Sequence, residues 1–370
     1  MQRIVSGPWR AGLGFALAAV ILFAVAPAML SDFRLNLLGK FLCFAIVAVG
    51  IGLAWGRGGM LVLGQGVYFG IGAYIMAMHL QMADAALRNR EVPDFMTVAG
   101  INSLPAYWQP FQSVPVTLLG ILVLPALVAA LLGLGVFKRR VKGAYFAILS
   151  QALAAAFAIF LIGQQSIGGF TGLNRFRSFF GFSLSDPANK RMLFFIAAAT
   201  LLVVVAITRQ LMHSRYGELL VAVRDQEERV RFLGYDPANV KVVAYTVAAF
   251  FAGIGGALFV PIVGIISPAD VGIVPSIAFL IGVAIGGRAT LLGPVLGAIG
   301  VAWAQSAFSE RFPSEWTYLQ GFLFIVVVGF LPAGLAGLPQ LRHRFARRRR
   351  PEPDPQPLDD LPVLEKEPAR

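Results

Sequence analysis

Thiol chemistry is all but missing from this chain, which has one cysteine, Cys43, in 370 residues. One thiol closes no intrachain disulfide, so no redox framework is available, and Cys43 reads as a small packing residue. Histidine is nearly as scarce: His79, His213 and His343 are far apart, and no ligand spacing links them, which argues against a metal centre. Charge is the third shortage. Charged residues make up 14% of the chain and hydrophobic ones 57%, whereas soluble domains carry about 25% charged residues. That leaves too little charge for a water-facing surface. A lipid-facing one removes the conflict.

Two further absences bear on function. Apart from Lys40, the expected membrane spans hold no Asp, Glu, Lys, Arg or His away from their ends. An ionisable group at mid-bilayer costs at least about 2.5–3.5 kcal/mol and is usually kept for function, so this absence weakens an ion-coupled transporter or a membrane hydrolase. It suits a path for a neutral or zwitterionic solute. A passive channel for such a solute is a further alternative, but a channel gives no purpose to the long cytoplasmic segment described below. There is also no phosphate-binding loop, because the Gly39-Lys40 pair is followed by Phe41 rather than Ser or Thr. If ATP drives transport, another chain binds it, and this chain needs no cofactor of its own.

What is present is long apolar runs. A helix that crosses the hydrocarbon needs about 20 apolar residues. Ten runs are expected to span: 11–29, 35–55, 60–80, 114–137, 143–162, 192–208, 242–262, 274–286, 291–305 and 317–336. The chain is therefore an all-α polytopic membrane protein, with a membrane region over 1–340. The eighth and ninth runs are short and Gly-rich, which predicts a broken hairpin or segments that do not fully span. Arg3, Arg10 and the Ala24-Val25-Ala26 tripeptide resemble a cleaved leader, but Pro27 directly after it argues against cleavage.

The net charge of +12 does not point to nucleic acid, since the basic residues sit in short clusters between apolar runs. Lys138-Arg139-Arg140-Val141-Lys142, the 209–241 loop and the Arg347–Arg350 run fall on one side. That side is read as cytoplasmic, with both termini inside. Lys40 is expected to snorkel outward from the second span. Residues 341–370 turn from basic to proline-rich and acidic, as in a disordered tail whose basic part rests on anionic lipid.

Small residues four apart recur in the third span (Gly66 and Gly70), the seventh (Ala248, Ala252 and Gly256, beside Gly253) and the ninth (Gly293 and Gly297). Such spacing lets helices pack closely. Alternatively it marks a broken helix lining a solute path, toward which Gln65, Ser150 and Gln151 are placed to point. The 209–241 loop holds Gly217-Glu218-Leu219-Leu220, then Val223-Arg224-Asp225-Gln226-Glu227-Glu228 and on to Leu233-Gly234. Its apolar residues predict one amphipathic helix of about 16 residues, ended by Gly234. Asp236-Pro237 opens the next helix. Mixed rather than basic charge favours docking to a protein over lying on the membrane.

With these residues in view, the chain resembles the inner-membrane permeases of the branched-chain amino acid class of ATP-binding-cassette importers. The matching stretches are Leu63-Gly64-Gln65-Gly66 through Gly72-Ala73-Tyr74, Gly143-Ala144-Tyr145-Phe146 and Ile167-Gly168-Gly169-Phe170-Thr171-Gly172. They continue through Ser214-Arg215-Tyr216-Gly217, Ala252-Gly253-Ile254-Gly255-Gly256 and Gly286-Gly287-Arg288-Ala289-Thr290. The outside insertion around Val92–Met96 and Trp108–Phe111 is similar to the urea-transport branch, so urea is the first expected solute, with branched-chain amino acids or short amides as alternatives. The resemblance implies a paralogous permease, two cytoplasmic ATPase subunits holding ATP and magnesium, and a periplasmic solute-binding protein. It also implies that Gly217, Glu218, Arg224, Asp225, Glu227, Glu228 and Gly234 belong to the region that docks on an ATPase.

Overall fold

The computed structural model describes residues 8–141 and 143–309 and a few positions between 318 and 334. Most of the expected tenth span and all of the 341–370 tail lie outside the described residues. α1 (Pro8–Val20) runs through a π-helical stretch, Ile21–Val25, into the short α2 (Ala26–Met29). α3 (Asp32–Ile51) is also extended by π-helix, Gly52–Arg57. α4 spans Gln65–Ala86, α5 Asp94–Val98, α6 Val114–Phe137 and α7 Ala144–Gly163. Then follow α8 (Pro187–His213), α9 (Arg215–Phe232), α10 (Pro237–Val263), α11 (Ile273–Gly286) and α12 (Gly293–Ser309). Among the described residues, 7 helical stretches are long and apolar enough to cross a membrane.

α10 is the centre of the bundle and packs on α3, α4 and α6. Backbones meet there because side chains are missing: a Cβ on Gly72 would run into the Gly253 carbonyl, and one on Gly256 into the Phe69 carbonyl. The small-residue spacing of the seventh span is therefore helix packing. Replacing Gly72 with valine is expected to cost about 1–3 kcal/mol or more through overpacking, read as a lower unfolding temperature in detergent. At the edge, α1 turns Leu13 and Leu17 outward, as a lipid-facing helix does.

The bounds of one span change. The third span is expected over 60–80, but its helix starts at Gln65 and runs on to Ala86, while residues 59–64 have no regular secondary structure. Its polar end stays helical because Asp84, which hydropathy assigns to a loop, is buried and accepts from the Arg177 N–H (2.7 Å) and Ser178 Oγ (2.6 Å). His79, one turn deeper, is buried too, with Nδ1 2.8 Å from the Phe111 carbonyl oxygen. The loops expected outside are thus a folded cap at one end of the bundle. In the first, α5 carries Asp94, which pairs with Arg88 (2.6 Å) and with Arg90.

The second outside loop folds inward. β1 (Leu173–Asn174) pairs antiparallel with β4 (Ile265–Ile266), and β2 (Ser178–Phe179) with β3 (Phe182–Ser183). Gly172 permits the first pairing, since a Cβ there would strike the Ile266 carbonyl. From β4 the chain returns into the bundle, and Val271 packs on Gly66 and Gly70 at the start of α4. α11 begins only after this descent. With 14 residues it is about 21 Å long, short of the hydrocarbon thickness by itself, and only the whole stretch Pro268–Gly286, with the 3₁₀ turn before it, is long enough to cross. Gly282 and Gly286 lie against Gly297 and Gly293 of α12. The eighth and ninth runs are indeed a tight hairpin, and its first arm starts partway into the bundle.

Candidate functional site

Four of the expected path residues converge where α4, α7 and α11 meet. Gln65 opens α4 and is fully buried, and neither of its amide atoms has a hydrogen-bond partner among the described residues. The next residue, Gly66, donates its N–H to Ser276 Oγ (3.0 Å), and that hydroxyl donates to the Gly272 carbonyl (2.8 Å). Gly70 lies against Val271 and Phe157. Ser150 accepts from the Leu63 N–H (3.1 Å) and donates to the Ala147 carbonyl (2.8 Å). One serine thus secures the irregular stretch before α4, and another secures the first turn of α4. A helix that begins inside a bundle leaves its first N–H groups without intrahelical partners, and side-chain hydroxyls supply them.

The other expected path residues are elsewhere. Gly253 faces Pro125 of α6 and Gly72 of α4, in the packed centre. Gly293 opens α12 at the turn after α11, and its N–H donates to Thr290 Oγ1 (3.0 Å). Gln151 is half-buried on α7 beside Ser150. Sequence reasoning missed Ser276. Its signal was a lone hydroxyl inside the apolar run Ile273–Gly286.

The Lys40 side chain lines a cavity of about 150 Å³ shared with Asp270, and its Nζ lies 5.7 Å from the Phe44 ring centre. On the outer cap a second, polar cavity of about 460 Å³ is lined by Gln81, Asp84, Arg88, Asp94, Gln165 and Arg177, among others.

The 209–241 segment is built on local caps. Ser214 caps α9 by accepting from the Gly217 N–H (3.4 Å). Gly217 sits in the α8–α9 corner, where a Cβ would strike the Leu211 and Met212 carbonyls. Gly234 has φ +88° and closes the segment, and Asp236 caps α10 by accepting from the Ala238 N–H (3.0 Å). The expected single helix is broken, however. Gln226 has φ −146° and ψ 70°, so α9 is two helices joined at a kink. Leu220, Val223 and Val230 are buried, and the kink keeps the second piece on the bundle.

Several charges expected to meet a partner are occupied within the chain. Arg224 donates to the Gly56 carbonyl (2.8 Å) and binds Asp225 (2.7 Å), whose carboxyl is held below the usual range by that hydrogen bond. Glu227 pairs with Lys241 (2.7 Å) and Arg231 (3.7 Å), and Arg231 also reaches Glu228 (3.2 Å). Tyr216 donates to the Val240 carbonyl (2.8 Å), and burial pushes its phenol well up. Glu218 is exposed. So are Phe232 (90%), Leu233 (71%) and Tyr235 (55%), which form an apolar tip beyond the kink.

An apolar helical bundle, a helix hairpin starting partway in, and a braced amphipathic segment on one side make up the architecture of a membrane transport subunit. The chain belongs to the family of permease components of branched-chain amino acid transport systems, whose model matches residues 33–329. It is similar to the high-affinity branched-chain amino acid transport system permease protein LivM of Escherichia coli (strain K12), at 28% identity over 88% of this chain and 76% of that protein. The permease protein LivH of the same strain is 22% identical over 80% of this chain and 92% of its own length. BraD of Pseudomonas aeruginosa is 23% identical over the same shares. No solved structure matches. The chain is a transport subunit rather than an enzyme.

Proposed function

We propose that the chain is one of two paired permease subunits of an ATP-binding-cassette importer for branched-chain amino acids in the inner membrane. The observation that carries this reading is the similarity to LivM over 88% of the chain. The relatives are named for branched-chain amino acids, which favours that solute over urea. One strain holds both LivM and LivH, which supports a heterodimer of related permeases. ATP and magnesium sit on separate ATPase subunits, and a periplasmic protein delivers the solute to the outer cap. Both termini face the cytoplasm, by the distribution of basic residues.

The coupling segment works as a braced lever. The apolar tip Phe232-Leu233 and exposed Glu218 meet the ATPase, while Arg224, Glu227 and Tyr216 hold the segment to α3 and α10. Motion at the tip reaches Gly56 through Arg224, and from there the irregular stretch before Gln65. ATP and the loaded binding protein each favour one of two states, which is what lets them drive a cycle.

The test is uptake in a strain lacking its own importers and supplied with this chain, its sister permease, the ATPases and the binding protein. Labelled leucine is expected to accumulate, and removal of any one component to lower uptake to background. Urea accumulation without leucine would overturn the solute. Leucine uptake that survives ATP depletion would overturn the importer reading.

A further inference from the structure

The cavity beside Lys40 holds one cation and one anion that do not pair with each other. Lys40 lies on α3, eight residues below Asp32, which is about 12 Å along the helix. Asp270 ends the 3₁₀ turn Pro268–Asp270 on the returning segment before α11. Both line the same cavity of about 150 Å³. Among the described residues no carboxylate lies within 4 Å of Lys40, and the hydrogen bonds of Asp270 fall on Oδ2, which accepts from the Ser267 N–H (2.9 Å) and Oγ (2.7 Å). Oδ1 is left for the cavity. Four phenylalanines line it further, together with small apolar residues of α11 and α12 and Gln305. Phe44 stacks on Phe259 (ring centres 5.6 Å apart) and meets Phe279 (5.3 Å), and Phe69 meets Phe259 (5.2 Å) and Phe279 (5.5 Å).

We propose that this cavity is a transient binding site for a zwitterionic amino acid with an apolar side chain, entered from the outer half of the bundle. An ammonium inside an apolar span is costly unless something neutralises it, and separated opposite charges are complementary to a ligand carrying both. The α-carboxylate takes Lys40 Nζ, the α-ammonium takes Asp270 Oδ1, and the side chain lies on the four phenylalanine rings. A neutral solute such as urea leaves both charges uncompensated, and a simple anion meets Asp270. The ligand also joins α3 to the returning segment, so its binding bears on the elements around Gln65. This inference rests on the importer reading above and adds the place and the charge of the solute.

The experiment is labelled leucine uptake by the complete importer carrying Lys40→Met, Asp270→Asn or Lys40→Arg, with membrane levels measured for each. Losing one partner of a desolvated charge contact lowers binding by about 30-fold or more, so Lys40→Met and Asp270→Asn are expected to lower leucine uptake by that factor at low leucine concentration. Lys40→Arg keeps most of it. If either single variant fails to reach the membrane, the exchange Lys40→Asp with Asp270→Lys restores insertion and part of the uptake, because a zwitterion binds a reversed pair in the opposite sense. Uptake within twofold of the unmodified protein in both neutral variants overturns the site while leaving the importer reading intact. Absence of amino acid uptake by the unmodified importer overturns the importer reading instead. Phosphatidylethanolamine offers the same charges, so its loss from purified Lys40→Met protein, with leucine uptake unchanged, would assign the cavity to a lipid headgroup and overturn the proposal.

Discussion

Replacing Phe232 and Leu233 together with alanine is expected to lower uptake by about 100-fold or more while the protein still inserts. Phe232 is 90% exposed and Leu233 71%. Each sits beyond the Gln226 kink on a segment whose base is fixed. An exposed apolar pair on a braced support is what an interface anchor requires, and anchors are worth about 2 kcal/mol or more each on truncation. Two of them amount to several hundred-fold in affinity, since each 1.4 kcal/mol is about tenfold. Neither side chain packs on the bundle, so the fold should not suffer. Co-purification of the ATPase with the permease in detergent measures the contact directly. Full retention of the ATPase together with normal leucine uptake would remove the tip from the coupling role. The Arg224→Ala change acts differently: it frees the Gly56 carbonyl and Asp225 but leaves the tip intact, so the ATPase should stay bound while uptake falls.

How much of this was legible beforehand depends on the range of the interaction. Caps are local chemistry. Asp236-Pro237 and Gly234 were readable because the capping partner is within three residues or the requirement is a positive φ. Apolar spans were readable because lipid acts on composition. Contacts made across the chain were not. Hydropathy ended the third span before Asp84 because it cannot see the Arg177 N–H and Ser178 hydroxyl that satisfy the carboxylate from about ninety residues away. It likewise gave no sign that Lys40 shares a cavity with Asp270, which is distant in sequence. The kink at Gln226 was invisible for the same reason. The apolar spacing fits a single helix, and Glu227 leaves that line to meet Lys241 on α10.

Gln65→Leu is expected to make the protein more stable and a poorer transporter. The Gln65 amide is fully buried with no hydrogen-bond partner among the described residues, and an unsatisfied buried polar group costs about 1–3 kcal/mol. Leucine has a similar reach and removes that cost, so the unfolding temperature in detergent should rise. A residue kept only for packing would be improved by the change, with no loss of uptake. If the amide finds its partners in another state of the cycle, or on a passing solute, the substitution stabilises this state relative to the others. A difference of about 1–3 kcal/mol shifts an equilibrium 5- to 150-fold, and leucine uptake should fall within that range. A rise in unfolding temperature with unchanged uptake would make Gln65 a packing defect of α4 and leave the path to other residues. The combination of higher stability and lower uptake would mean that the amide is kept for the solute or for another state of the cycle rather than for packing at the junction of α4, α7 and α11, where Ser150 and Ser276 secure the stretch before α4 and its first turn.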